Sequence, residues 1–261
     1  MSITANVSKG NPSESNELTA DNVGIPWKML LMILIGLFTV LGAYRWYQMN
    51  YSFSVGMDYF EPIFQTYWMS LFYSQIAVII TVGTAALSWL WLSRDKDIQS
   101  LAPLEELQRY FAFFAILGFI GGTFVVALDV FTEADAAWHQ TAIRDTDFTP
   151  THIILFYFMM PVMLVGLMVA VLWAHTRLPD FANRVSIPFL VVAAGPFLIL
   201  PSLGYNEWGH TFFYAEELFA APIHWGFVVL SWGFFGFAGV IVQCLNRIII
   251  ITKVETETVN S

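Results

Sequence analysis

The chain has 261 residues, of which 57% are hydrophobic, 17% aromatic and only 12% charged, with a mean hydropathy of +0.63. That balance excludes an ordinary soluble domain, and 11 basic against 20 acidic residues, a formal charge of −9, argue against any role in nucleic-acid binding. A single cysteine, Cys244, lies in an apolar run and allows neither an intrachain disulfide nor a thiolate metal cluster.

In chain order, residues 1–26 lack the basic start and apolar middle of a cleavable signal peptide. Their Ser, Asn, Gly and Pro content predicts a flexible polar N-terminal tail. Beyond them the uncharged runs set the organisation, because a bilayer core of ~30 Å takes about 20 apolar helical residues. These runs are 29–44, 62–93, 110–128, 153–174, 185–206 and 218–246. The first is short for a span unless Lys28 and Arg45 reach out to the two interfaces. The predicted fold is all-α: a polytopic transmembrane helical bundle of about six spans, one domain over 27–252, with a C-terminal tail at 253–261. No internal repeat interrupts it.

Orientation follows from the excess of Lys and Arg in cytoplasmic loops. With the N-terminus inside, all 11 basic residues except Arg45 and Arg144 are cytoplasmic: Lys9, Lys28, Arg94, Lys96, Arg109, Arg177, Arg184, Arg247 and Lys253. The same assignment puts Asp58, Glu61, Glu133, Asp135, Asp145, Asp147, Glu207, Glu216 and Glu217 on the outer side.

Four of the five histidines fall in or beside the outer loops. Asp135 and His139 are four residues apart, which places both on one face of a helix as a two-ligand chelate. His152 follows Thr149-Pro150, where Thr suits an N-cap and Pro the first helical position, so His152 opens the fourth span. If the outer end of the third span lies beside the start of the fourth, Asp135, His139 and His152 converge at the outer membrane boundary. A parallel set repeats the spacing: Asn206 and His210 are four apart, and His224 stands at the start of the sixth span. The recurrence of two polar triads across two outer hairpins is what favours metal binding over isolated interface histidines. A neutral amide makes the second set the poorer one.

The remaining polar features have plainer readings. His175, followed by Thr176 and Arg177, reads as a cytoplasmic interface residue, and Arg144 to Pro150 as a loop that fixes His152. Glu133, Glu207, Glu216 and Glu217 read as solvated charges, although carboxylates also serve as hydrogen-bond partners for ligating imidazoles. Trp27, Trp46, Trp89, Trp91, Trp138, Trp173, Trp208 and Trp225 near span ends suit interfacial aromatic belts. An ion or proton transporter would need ionisable groups near midspan, and here they sit at span ends.

Two imidazoles and a carboxylate with open positions suit iron(II), copper or zinc, and ligand type alone does not choose among them. The segment Asp-Ala-Ala-Trp-His-Gln-Thr-Ala-Ile-Arg-Asp-Thr-Asp-Phe-Thr-Pro-Thr-His (135–152) resembles the signature of the C subunits of the particulate methane and ammonia monooxygenases. The resemblance extends to Gly-Met-Asp-Tyr-Phe-Glu-Pro (56–62), Thr-Arg-Leu-Pro (176–179), Gly-Pro-Phe-Leu-Ile-Leu-Pro (195–201) and Asn-Glu-Trp-Gly-His-Thr-Phe (206–212), and covers roughly residues 40–240.

The resemblance implies a copper-dependent, membrane-embedded oxygenase of three kinds of subunit, this chain being the C subunit beside the A and B subunits in a trimer of heterotrimers. The substrate would be methane, ammonia or a short alkane, with oxygen. The home would be a bacterial inner or intracytoplasmic membrane, with the triads on the periplasmic or lumenal side. Asp135, His139 and His152 match the family's copper ligands, and Asn206, His210 and His224 a second set also associated with copper; which triad is catalytic stays open. The competing reading is a structural metal-binding subunit whose partner performs the catalysis.

Overall fold

The computed structural model describes residues 26–141, 148–195 and 220–259, with side chains described to Thr141, over 148–195 and over 231–252. Helices account for nearly all of it. α1 is Trp27–Val55, α2 Pro62–Leu92, α3 Pro103–Thr141 and α4 Pro150–Arg177. The short α5 is Pro179–Ala182, α6 begins at 187 and is described to 195, and α7 is Ala220–Val259. Among the described residues, five helices are long and apolar enough to span a bilayer: α1 to α4, and α7 over Ser231–Thr252. The fifth expected span, 185–206, begins as α6, and its outer half lies outside the described residues. So do residues 1–25 of the predicted N-terminal tail and most of the loop after His139. α7 continues as helix through Val259, past the last apolar turn and into the segment read as a C-terminal tail.

The helix starts follow from local chemistry. Pro62, Pro103, Pro150 and Pro179 each open a helix, where a missing N–H costs nothing and the fixed φ is already helical. Glu105 and Glu106 lie in the first turn of α3, and His175 and Arg177 in the last turn of α4, each sign complementing the helix dipole. α1 overruns its uncharged core: Arg45 donates to Gln48 Oε1 at 2.8 Å one turn on, which keeps the cation hydrogen-bonded while the helix continues to Val55.

α3 packs along α1, α4 and α7, and α2 along α4. Side chains such as Leu31, Met32, Ile35, Phe38, Val78, Val82, Phe235 and Val242 point away from the chain's interior, the pattern of helices that meet lipid or other apolar helices. Among the described residues, two buried clusters result. One, around Leu41, Phe64, Trp68, Phe131, Ile153 and Met159, underlies the end that bears Asp135 and His152. The other, around Tyr110, Phe113, Ala174, Phe181, Phe189 and Val240, lies at the opposite end.

That opposite end carries most of the basic side chains and their partners. Arg247 forms a two-point ion pair with the buried Glu106, at 2.8 and 2.9 Å. Arg109 pairs with Asp95 and Glu105. Arg177, also buried, donates to the Ser93 hydroxyl and to Leu90 O, a carbonyl left open where α2 ends.

Among the described residues, three π-turns interrupt the spans: Gln65–Met69 in α2, Ala127–Phe131 in α3 and Leu155–Met159 in α4. α3 runs for 39 residues, about 58 Å at 1.5 Å per residue and nearly twice the ~30 Å hydrocarbon core. The surplus beyond its π-turn carries Asp135 and His139.

Candidate metal centre

Asp135 and His139 share one face of the last turns of α3, and His152 lies in the first turn of α4. The α4 start folds as its sequence prescribes: Thr149 is the N-cap and accepts from the His152 backbone N–H at 3.4 Å, with Pro150 as the first helical residue. The cap fixes the direction in which α4 leaves the loop, and His152 is set two residues past Pro150.

The two helix ends meet. Ligand atoms of Asp135, His139 and His152 all lie within 4.8 Å of one another, the one such group of three among the described residues. Asp135 Oδ1 is 3.4 Å from His152 Nε2 and 3.8 Å from His139 Nδ1, and the imidazole rings are 5.4 Å apart, centre to centre. Tetrahedral ligands 2.0–2.2 Å from one ion stand roughly 3.3–3.6 Å from each other, so the carboxylate and His152 are already at the separation one cation requires.

Local hydrogen bonds orient the donors. His139 Nδ1 is 2.7 Å from the Asp135 carbonyl oxygen, which can only accept, so Nδ1 carries the proton and Nε2 the lone pair a metal needs. Thr151 Oγ1 donates to Asp135 Oδ1, tying the α3 carboxylate to the α4 start. His152 is 1% exposed and lies 4.9 Å from the Phe156 ring. The side chains of Asp135 and His139 are 15% and 30% exposed, so the group is closed on the His152 side and open on the His139 side. An N2O donor set, buried on one side and open on the other, fits a borderline transition-metal ion with positions left for small molecules.

The Asn206, His210, His224 set stands differently. Asn206 and His210 lie outside the described residues, and His224 falls in α7, where only the backbone is described. Glu133 is exposed beside the centre, while Glu207, Glu216 and Glu217 lie outside the described residues. His175 is exposed on the last turn of α4, its Nδ1 3.0 Å from Val171 O, at the end opposite the triad.

Trp138 departs from the interfacial reading. It is 1% exposed and packs on Phe53 at 5.2 Å between ring centres, so this indole is a wall beside His139. Trp27, Trp46, Trp89 and Trp91 are exposed as a belt requires. Sequence reasoning missed Thr151 and the buried Gln75, which donates to Ile153 O next to His152. Thr151 was findable as a hydroxyl beside a candidate ligand; Gln75 stands in an apolar run with no spacing to mark it. Deeper in the bundle a cavity of about 310 Å³, lined solely by apolar side chains and glycines such as Leu117, Phe124, Met163, Leu167 and Phe237, separates α3 and α4 from α6 and α7.

The AmoC family model, that of the ammonia monooxygenase/methane monooxygenase C subunit, matches residues 13–255. The chain belongs to this family. It is thus one subunit of a multi-subunit membrane monooxygenase, and the sequence resemblance carried by 135–152 is confirmed. A comparison with curated proteins gave no match.

Proposed function

We propose that this chain is the copper-binding C subunit of a membrane monooxygenase that hydroxylates methane, ammonia or a short alkane with oxygen, and that Asp135, His139 and His152 hold the copper. The observation that carries this reading is the convergence of these three donors within 4.8 Å at the end of the bundle opposite most of its basic residues. By the excess of Lys and Arg at the other end, the triad faces the periplasm or lumen. The A and B subunits complete the complex as a trimer of heterotrimers in a bacterial inner or intracytoplasmic membrane.

Bound copper would supply the one-electron steps that activate oxygen, with an external donor giving the two electrons that, together with two protons, let one atom enter a C–H or N–H bond and the other leave as water. The chain supplies the rest. Asp135 contributes negative charge, and Thr151, donating to one of its oxygens, holds the carboxylate in place. The backbone bond to His139 Nδ1 leaves Nε2 as the nitrogen that can bind the ion. The apolar packing around His152 keeps bulk water from one flank of the site. The apolar cavity between the helices suits a small apolar molecule by its lining. Asn206, His210 and His224 are proposed as a second copper set.

The test is copper content and electron paramagnetic resonance on the intact complex purified in lipid, comparing wild type with His139→Ala and His210→Ala while following assembly and oxygen-dependent turnover. A variant that assembles yet loses nitrogen-coupled copper(II) signal and turnover identifies a functional site. Copper and turnover surviving both substitutions would refute both assignments. Loss of assembly along with copper supports the structural role instead.

A further inference from the structure

We propose that Gln75 is a positioning residue for the metal centre, its side-chain amide holding the turn of α4 that presents His152. The inference rests on the metal reading of the triad given above. Gln75 lies within α2, outside the group of ligands, and is 4% exposed. Burying an amide among apolar helices is unfavourable unless both of its ends are satisfied, and here both are. Nε2 donates across to Ile153 O at 2.7 Å, and Oε1 accepts from the Tyr44 hydroxyl of α1 at 3.2 Å.

The point of attachment gives the amide its consequence. Ile153 directly follows His152, and the π-turn Leu155–Met159 begins two residues later, where the Met160 N–H reaches back five residues to Leu155 O. A π-turn disturbs the regular i to i+4 ladder, so the helix's own bonding is irregular just where the ligand must be held. Gln75 supplies a bond from a neighbouring helix at that place. Tyr44 adds a second hold, its ring stacked at 4.1 Å on Phe158 inside the same π-turn. α1 and α2 thus grip α4 at Ile153 and at Phe158, and His152, 1% exposed, moves with that segment. Outer partners of metal ligands commonly tune affinity 10–100-fold, and Gln75 acts as such a partner through the backbone.

The experiment titrates copper(II) into the chelator-treated intact complex in lipid, for wild type, Gln75→Met, Tyr44→Phe and His152→Ala. The resonance component absent from His152→Ala defines the centre. In Gln75→Met, which keeps the volume but loses the donor, that component binds about 10-fold more weakly and with altered hyperfine splitting, while assembly persists. Tyr44→Phe, which opens no cavity, gives a smaller shift in the same direction and decides the matter should Gln75→Met not assemble. Wild-type affinity and an unaltered spectrum in the variants that assemble, with the component missing from His152→Ala, overturn the positioning role alone. Copper binding that survives unchanged in His152→Ala overturns the metal reading and the positioning role with it. A purely structural amide would change the amount of complex but not the hyperfine pattern of what remains.

Discussion

Gly56 ends α1 at φ −117°, ψ 3°, a conformation open to any residue, so the consequence of Gly56→Ala is steric. A Cβ there would stand 2.4 Å from Ser52 O, 2.6 Å from Pro150 Cγ and 2.8 Å from Trp68 Nε1. None of these neighbours yields readily: one is backbone, one is a proline ring, and Trp68 is fully buried. Overpacking costs about 1–3 kcal/mol, and three rigid contacts place this site near the upper figure. The side that gives is expected to be Pro150, the first residue of α4, and displacing it drags His152. Gly56→Ala should therefore lower the thermal transition of the complex and also its copper content, although residue 56 touches no ligand. Gly118 is the control, because a Cβ there meets nothing within 4 Å in this chain. Thermal unfolding in lipid and metal analysis of both variants form the assay. If Gly56→Ala keeps wild-type copper and the same transition as Gly118→Ala, the account of how α1 fixes the start of α4 is wrong.

Three more outcomes are expected. Thr151→Val, which removes the hydroxyl that donates to Asp135, should weaken copper binding at the triad about 10-fold in a titration, with stability little changed. Glu106→Gln leaves Arg247 without its carboxylate; because Arg247 is a third exposed, the loss should be about 2 kcal/mol, below the 3–5 kcal/mol of a fully buried pair. Replacing both partners by apolar residues should recover part of it in thermal unfolding. Cys244 is fully buried among the apolar side chains of its cluster, so a membrane-permeant maleimide should label it only after denaturation, and labelling of the native complex would contradict the packing of α7 on α3.

What was legible in the sequence was legible for local reasons. Uncharged runs of bilayer length leave the backbone no alternative to helix, and a proline after a loop marks where α2, α3, α4 and α5 start. The Asp135 to His139 spacing and the Thr149 cap act within one turn, so neighbouring residues suffice to read them. Trp138 was misread because proximity to a span end says nothing of which face an indole takes; Phe53 on α1 takes it inward. Gln75 was invisible for the converse reason. Its meaning lies in Ile153 and Tyr44, residues distant in sequence, and a lone amide in an apolar run has no period to betray it.

The π-turns explain how an apolar bundle and a polar centre coexist on the same helices. An extra residue in an α-helix rotates everything beyond it by about 100°. In α3 the π-turn Ala127–Phe131 lies between the span and the ligands, so the face that packs in the bundle and the face bearing Asp135 and His139 need not be the same face. In α4 the order is reversed: His152 comes first, then the π-turn Leu155–Met159, then the span. The two π-turns touch, so the register shifts occur side by side where packing passes from the span to the centre. Each shift gives up regular helix bonding, and Gln75 and the Thr132 hydroxyl, which reaches back to Ala127 O at 3.0 Å, supply acceptor carbonyls there with donors. The face that carries the candidate donors is therefore set apart from the faces that pack the spans, which lets a polar site form without placing polar groups in the bilayer-spanning packing.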